Sequence, residues 1–271
     1  MPFCPISNNL IRYTESMKKH VIAIVSVLVV LAVIFVIGRN TDNAVPPTQK
    51  KPTTSQAVRS APKTFNKTQY SISDPSSIWL VVNKQRPLNP QDYAPQDLVT
   101  PNVPLRSNIT STEKYVRADM ATALETMVKA ADVEGAHLNL QSGYRSYAFQ
   151  VSLYNSYVAQ SGQASADTDS ARPGFSEHQS GLAADLGGTS QPSCDVAQCF
   201  GTTLEGKWLA ANAYKYGFII RYPEGKQAVT GYIYEPWHVR YVGIPLATEM
   251  HKQGIATLEE FFGLPAAPDY K

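Results

Sequence analysis

The sequence predicts an α+β fold with a small, mostly antiparallel sheet and flanking helices, and three observations carry that expectation. Helical patterns cluster at the two ends of the stretch 76–271. Short strand-like runs gather between them instead of alternating with helices. No internal repeat divides the stretch, so it is one domain's worth of chain.

The whole chain has 271 residues, 43% hydrophobic and 17% charged, with a formal charge of +2. Those values exclude a disulfide-stapled miniprotein, wholesale disorder and a multi-span membrane protein. They also give no reason to expect nucleic acid as a partner, which would need a concentrated basic surface. The charge is unevenly spread: up to Asp74 there are nine Lys plus Arg against three Asp plus Glu, and beyond it fifteen against nineteen. A basic leading segment therefore precedes a mildly acidic domain. Nothing in the chain calls for an obligate protein partner.

Taken in order, residues 1–20 are expected to form a short cytoplasmic tail, with Met17 in MKKHV a second candidate start. Residues 21–38 are apolar apart from Ser26 and the closing Gly38, and they read as one transmembrane helix. Lys18 and Lys19 stand just before it, which places the N-terminus inside and everything after the span outside the cell membrane. A cleaved signal peptide is the competing reading, but VIGRNTDNAV offers no clear small-x-small cleavage site. Residues 39–75 are rich in Pro, Thr, Ser, Gln and Lys without periodicity and are expected to be a disordered linker.

Within residues 76–271, IWLVV at 78–82 reads as a strand and the proline-spaced run after it as an irregular surface strap. Ser111 or Thr112 is expected to cap a helix with Val116, Met120, Leu124, Met127 and Val128 on one face and Gly135 beyond its end. Residues 138–141 read as a strand. A second helix starts at the cap Ser146 and ends before Gly162, and a third runs from about Thr203 to Tyr216, stopped by Gly217. Strands are expected at 182–186, 218–221, 232–234 and 238–242, with helical segments from Pro245 onward. Cys194 and Cys199, in a loop-like stretch of an exported domain, are a natural local disulfide.

Of the five histidines, His20, His137 and His251 have surface or packing contexts. His178 lies in PGFSEHQSGLAADLG, seven residues before Asp185, and on one helix the two would be about 10 Å apart along the axis, too far to share an ion. A turn at Gly181 that folds the loop back over the strand brings them together. His238 lies in GYIYEPWHVRYVG, where Pro236 interrupts a strand-like run and frees Glu235 and His238 from strict alternation. Two His and one Asp suffice for a catalytic zinc, since three protein ligands leave a fourth position for water. A neighbouring Glu can move that water's proton to a leaving amine. A pair of buried, hydrogen-bonded histidines would show the same spacing.

Three motifs in one order, SGYRSYAFQVSLY, SEHQSGLAADL and EPWHVRYVG, resemble the VanY-like D-alanyl-D-alanine carboxypeptidases. These are zinc peptidases of the bacterial cell wall, related to the metal-binding fold of hedgehog and lysostaphin-type enzymes. VVNKQRPLNPQDYAPQDLV resembles that family's N-terminal segment, so the likeness spans roughly residues 79–243. The resemblance implies one zinc ion held by His178, Asp185 and His238, with Glu235 as catalytic base and Arg145 stabilising the scissile carbonyl. It implies substrate contacts from Gln150 and Ser176, while Tyr144 and Trp237 are expected to shape the pocket and Arg240 to pair with an acid. The implied reaction is removal of the last D-alanine from a peptidoglycan stem peptide. An L,D-carboxypeptidase or a crosslink endopeptidase would use the same ligands. A wall-binding module with structural zinc would need neither Glu235 nor Arg145.

Overall fold

The computed structural model describes residues 64–271. The expected anchor at 21–38 and the linker as far as residue 63 lie outside the described residues, among which no helix is long and apolar enough to cross a membrane. Residues 64–75, expected in the linker, instead belong to the folded domain. Phe65 stacks on Trp79, and Lys67 Nζ donates to the Phe261 carbonyl at 2.5 Å.

Four antiparallel strands form the central sheet in the order β3-β4-β6-β5, with β3 at Leu138–Ser142, β4 at Ala183–Gly188, β5 at Phe218–Tyr222 and β6 at Glu235–Tyr241. A separate two-stranded piece joins β1 (Leu98–Val99) to β2 (Val116–Arg117). The expected α+β class with an antiparallel sheet is what the chain adopts.

Helix α1 (Ala118–Val133) lays Met120, Leu124, Met127 and Val128 against the sheet as its periodicity requires, but it starts later than expected. Thr110 Oγ1 accepts from the Glu113 backbone N–H, so 111–115 turns instead of winding, and Val116 and Arg117 pair as β2. Helix α2 (Tyr147–Ser161) begins where its cap predicts, Ser146 Oγ accepting from the Phe149 N–H at 3.1 Å. A short α3 (Gln163–Asp169) follows. Helix α4 (Leu204–Asn212) is capped by Thr203 and tightens into a 3₁₀ turn before Gly217. The one-turn α5 (Gln227–Thr230), then α6 (Ile244–Gln253) and α7 (Leu258–Phe262), complete the fold.

Two expected strands are absent. Residues 232–234 are irregular, and β6 begins only at Glu235. The run 78–82 is buried on both sides, with Trp79 and Val81 in one apolar cluster and Leu80 and Val82 in another. Its carbonyls bond to arginines rather than to a ladder: Arg240 Nη2 donates to the Ile78 and Leu80 carbonyls and Arg221 Nη2 to that of Val82. Two buried guanidinium groups thus replace the neighbouring strand that apolar character alone would predict.

Candidate metal centre

His178 sits on a 3₁₀ turn, Glu177–Ser180, that runs into β4. Gly181 closes the turn with φ 69°, a left-handed conformation that glycine adopts without the strain of a Cβ. This reversal, expected from the sequence, carries His178 Nε2 to 3.3 Å from Asp185 Oδ2. The other ring nitrogen donates to the Gly143 carbonyl at 2.6 Å; a carbonyl can only accept, so the proton is on Nδ1 and Nε2 is left as a lone pair. Gly143 has to be glycine, because a Cβ there would stand 2.3 Å from the Tyr115 carbonyl oxygen.

His238 and Glu235 come from β6, where the register is irregular. Between the pairs Ile220↔Val239 and Tyr222↔Glu235, β6 advances four residues while β5 advances two. The surplus lets two residues three apart face the same cleft, the escape from alternation that Pro236 predicted. His238 Nδ1 stands 3.2 Å from Asp185 Oδ1 and 3.6 Å from Glu235 Oε2.

His178, Asp185 and His238 are buried, and one ligand atom from each lies within 4.8 Å of the others. Asp185 Oδ1, although near His238 Nδ1, is buried and makes no aligned hydrogen bond. Buried polar atoms left in this state are costly unless something else completes them. Nitrogen and oxygen donors that converge on one point without bonding to each other fit a cation. The three residues form a candidate metal site.

The electrostatics agree with that reading. Burial pushes the Glu235 carboxyl up to about 8. Burial disfavours a charged His238, but Asp185 and Glu177 outweigh it and hold its pKa at about 9. Burial also opposes charge on Asp185, yet His178 and Arg145 keep it well below the usual carboxylate range. Glu235 and His238 are thus both pushed toward their protonated forms, which a cation held by His178, Asp185 and His238 would oppose.

Behind His238 lies a group the sequence analysis did not single out. Glu177 Oε1 accepts from Arg221 Nε and Arg240 Nη1, each at 2.8 Å, while its Oε2 points toward His238 Nε2 at 3.8 Å. Arg221 also bonds both oxygens of Glu259 at 2.9 and 2.7 Å, and Asn83 Nδ2 donates to Glu259 Oε1. Arg240 pairs with an acid as expected; the acid is Glu177. The one available signal was an acidic residue directly beside His178.

Arg145 does reach the centre. Its Nη2 pairs with Asp185 Oδ2 and its Nε donates to Ser142 Oγ at 2.9 Å, so it is tied to one predicted ligand. Ser142 in turn donates to Glu113, which pairs with Arg106. Gln150, Ser176 and Trp237 line the same cleft, of about 600 Å³. The Gln150 amide is turned to protein, Nε2 donating to the Ala171 carbonyl and Ser170 Oγ, and its Oε1 is buried without a partner. Tyr144 is a correction: it is buried and does not line the cleft, since its neighbour Arg145 takes the inward direction. Cys194 and Cys199 are bonded to each other.

A buried His, Asp, His group beside a carboxylate, set in a cleft, defines a hydrolase of the metallopeptidase class. Comparison with known proteins makes the class narrower. Residues 113–244 match the family model of the VanY D-alanyl-D-alanine carboxypeptidases. The Bacillus subtilis (strain 168) protein YodJ is 45% identical over 192 residues, 71% of this chain and 69% of YodJ. Among solved structures, the LdcB LD-carboxypeptidase superposes with a TM-score of 0.66 at 45% identity, covering 70% of this chain and 87% of that one. A variant of the vancomycin-resistance D,D-pentapeptidase VanY, in complex with Zn(II), superposes with a TM-score of 0.56 at 33% identity over 68% of this chain and 98% of its own. The chain belongs to the VanY D-alanyl-D-alanine carboxypeptidase family.

Proposed function

We propose that this chain is a zinc carboxypeptidase that removes the terminal D-alanine from peptidoglycan stem peptides. The convergence of His178, Asp185 and His238 next to Glu235 at the floor of one cleft carries the reading. The three residues would hold one zinc ion, the metal found with the related VanY. Bound there, zinc supplies a Lewis acid that polarises the scissile carbonyl, lowers the pKa of water to about 7, and returns the adjacent Glu235 to its carboxylate form.

Glu235 then acts twice: it takes a proton from the attacking water and gives it to the nitrogen of the departing D-alanine. Arg145 sets a fixed positive charge beside the carbonyl oxygen as that atom gains negative charge. Water is the nucleophile, so no acyl-enzyme forms and penicillin-type acylating agents have no serine to modify. Ser176 lies where it can meet the substrate's end, Gln150 would have to release the Ala171 carbonyl to do so, and Trp237 closes one side of the cleft.

A second reading has support from the LD-carboxypeptidase at 45% identity: the same machinery removing D-alanine from a tetrapeptide stem, after an L-centre. Residues 21–38 would hold the domain at the outer face of the cell membrane in a single pass, with the N-terminus inside. Incubating the full chain with defined tri-, tetra- and pentapeptide stems, with and without a chelator, tests all of this by product mass. Loss of one D-alanine from the pentapeptide, abolished by chelation, is the expected result; loss from the tetrapeptide alone selects the second reading, and no mass change with zinc present overturns both.

A further inference from the structure

One residue on the cleft wall has a backbone its side chain disfavours. Val196 has φ 54°, the only positive φ among the described non-glycine residues, and a β-branched side chain is poorly suited to it. Such a conformation persists where the surrounding structure over-determines it, and these sites cluster where ligands are held. The surroundings here do so. Cys194 and Cys199 are bonded to each other across the loop. Asp195 Oδ1 accepts from the Gly188 N–H and its Oδ2 from Gln141 Nε2, each at 2.9 Å, tying the loop to β4 and β3.

The loop's rigidity serves to present an apolar side chain to solvent: Val196 is 46% exposed and lines the same cleft as the metal centre. Also on the cleft wall are Phe149, Leu153 and Tyr157, spaced four apart on α2 and so aligned on one helix face, with Tyr157 39% exposed. Val196 and this ridge are apolar parts of the wall of a cleft whose lining also includes Arg106 and Asp169.

We infer that Val196 is a specificity-determining contact, gripping with Tyr157 the aliphatic stem of the side chain one residue upstream of the two terminal alanines. The inference rests on the carboxypeptidase reading. With the substrate's C-terminus at the metal, the chain leaves through the cleft, and the first long side chain it carries is that of the diamino acid of a wall stem. Methylenes there would cover surface that is otherwise wet, while the charged end reaches solvent.

The test uses the full chain with zinc and two peptides, diacetyl-Lys-D-Ala-D-Ala and acetyl-Ala-D-Ala-D-Ala. The unaltered protein should prefer the lysyl peptide in kcat/KM. Val196→Gly and Val196→Asn both tolerate a left-handed backbone, so both should fold and keep the disulfide. Each should lose most of that preference, on the order of tenfold, through KM rather than kcat. A preference retained in both variants overturns the inference, as does an equal fall in kcat for the two peptides, which would mark the loop as merely structural. Failure of the unaltered protein to release D-alanine from either peptide is a different result, and it overturns the reading of the chain as a carboxypeptidase of D-alanyl-D-alanine ends, on which the inference rests.

Discussion

Two buried clusters of charged residues share a wall in this domain, and they differ in how completely they satisfy themselves. In the cluster behind β6, Glu177, Arg221, Arg240 and Glu259 set two cations against two anions, and the Arg–Glu contacts lie between 2.7 and 2.9 Å. In the cluster facing the cleft, His178, Asp185 and His238 approach one another, yet Asp185 Oδ1 remains without a hydrogen bond, and on the boundary between the clusters His238 Nε2 and Glu177 Oε2 face each other unbonded at 3.8 Å. The depth of burial is alike. Incompleteness is what separates a site from a scaffold, and Glu177, with one oxygen on the arginines and the other aimed at His238, joins the two.

The sharpest way to separate the clusters is Glu235→Gln. The change is isosteric and leaves the three metal ligands in place, so metal content by elemental analysis should hold while kcat falls by about 10²–10⁴-fold. Near-normal turnover would remove Glu235 from proton transfer. Glu177→Gln probes the shared wall. Arg240 loses its carboxylate partner while Arg221 keeps Glu259, and a buried guanidinium group left without its anion should cost about 3–5 kcal/mol in chemical denaturation of the metal-free protein. Metal affinity, read by competition with a chromogenic chelator, should weaken about 10–100-fold as His238 loses its orienting carboxylate. Unchanged affinity would make the two clusters independent.

Stripping the metal should be the next largest effect. An ion that binds only the folded chain stabilises it by about 2.7 kcal/mol at a free concentration of 100 Kd, so chelation should lower Tm and added zinc should restore it. The same chelation should leave the Arg–Glu cluster unaltered, which protection of the Arg240 backbone amide in hydrogen exchange would report. The smallest effect lies in acid. Burial works to raise the Glu259 pKa, but Arg221 outweighs it and holds the carboxyl below its ordinary value. A depressed carboxyl contributes stability above the unfolded pKa of about 4.3 and loses it as pH falls through the folded value. Urea midpoints measured downward from pH 5 should therefore fall less steeply in Glu259→Gln than in the parent; parallel slopes would show that Glu259 carries no such linkage.

Much of the cleft-facing cluster was legible in the sequence, its turns from local signals and its assembly across the 60 residues between His178 and His238 from the family resemblance. Gly181 between His178 and Asp185 announces a reversal, Pro236 between Glu235 and His238 announces a broken alternation, and Ser146 marks the start of α2. The arginine–glutamate cluster was legible only at Arg240, expected to pair with an acid; its members lie far apart in the chain. Glu177 meets Arg221 across 44 residues and Arg240 across 63, and no periodicity links such positions. The same distance explains the misread run 78–82: five apolar residues look like a strand until two arginines from β5 and β6 take up their carbonyls. Tyr144 was misplaced because adjacency to Arg145 in sequence does not mean a shared direction.

Those arginine-held carbonyls give the domain a mechanical character. Trp79 Nε1 donates to the Val242 carbonyl just beyond β6, and Arg240 grips Leu80 at 2.6 Å, so the leading segment is riveted to the strand that carries His238. A pull applied upstream of residue 78 is resisted by several buried bonds in shear, close beside Glu177, before it reaches the cleft. A domain fastened in this way can be tugged from its leading end and still keep its metal ligands in register.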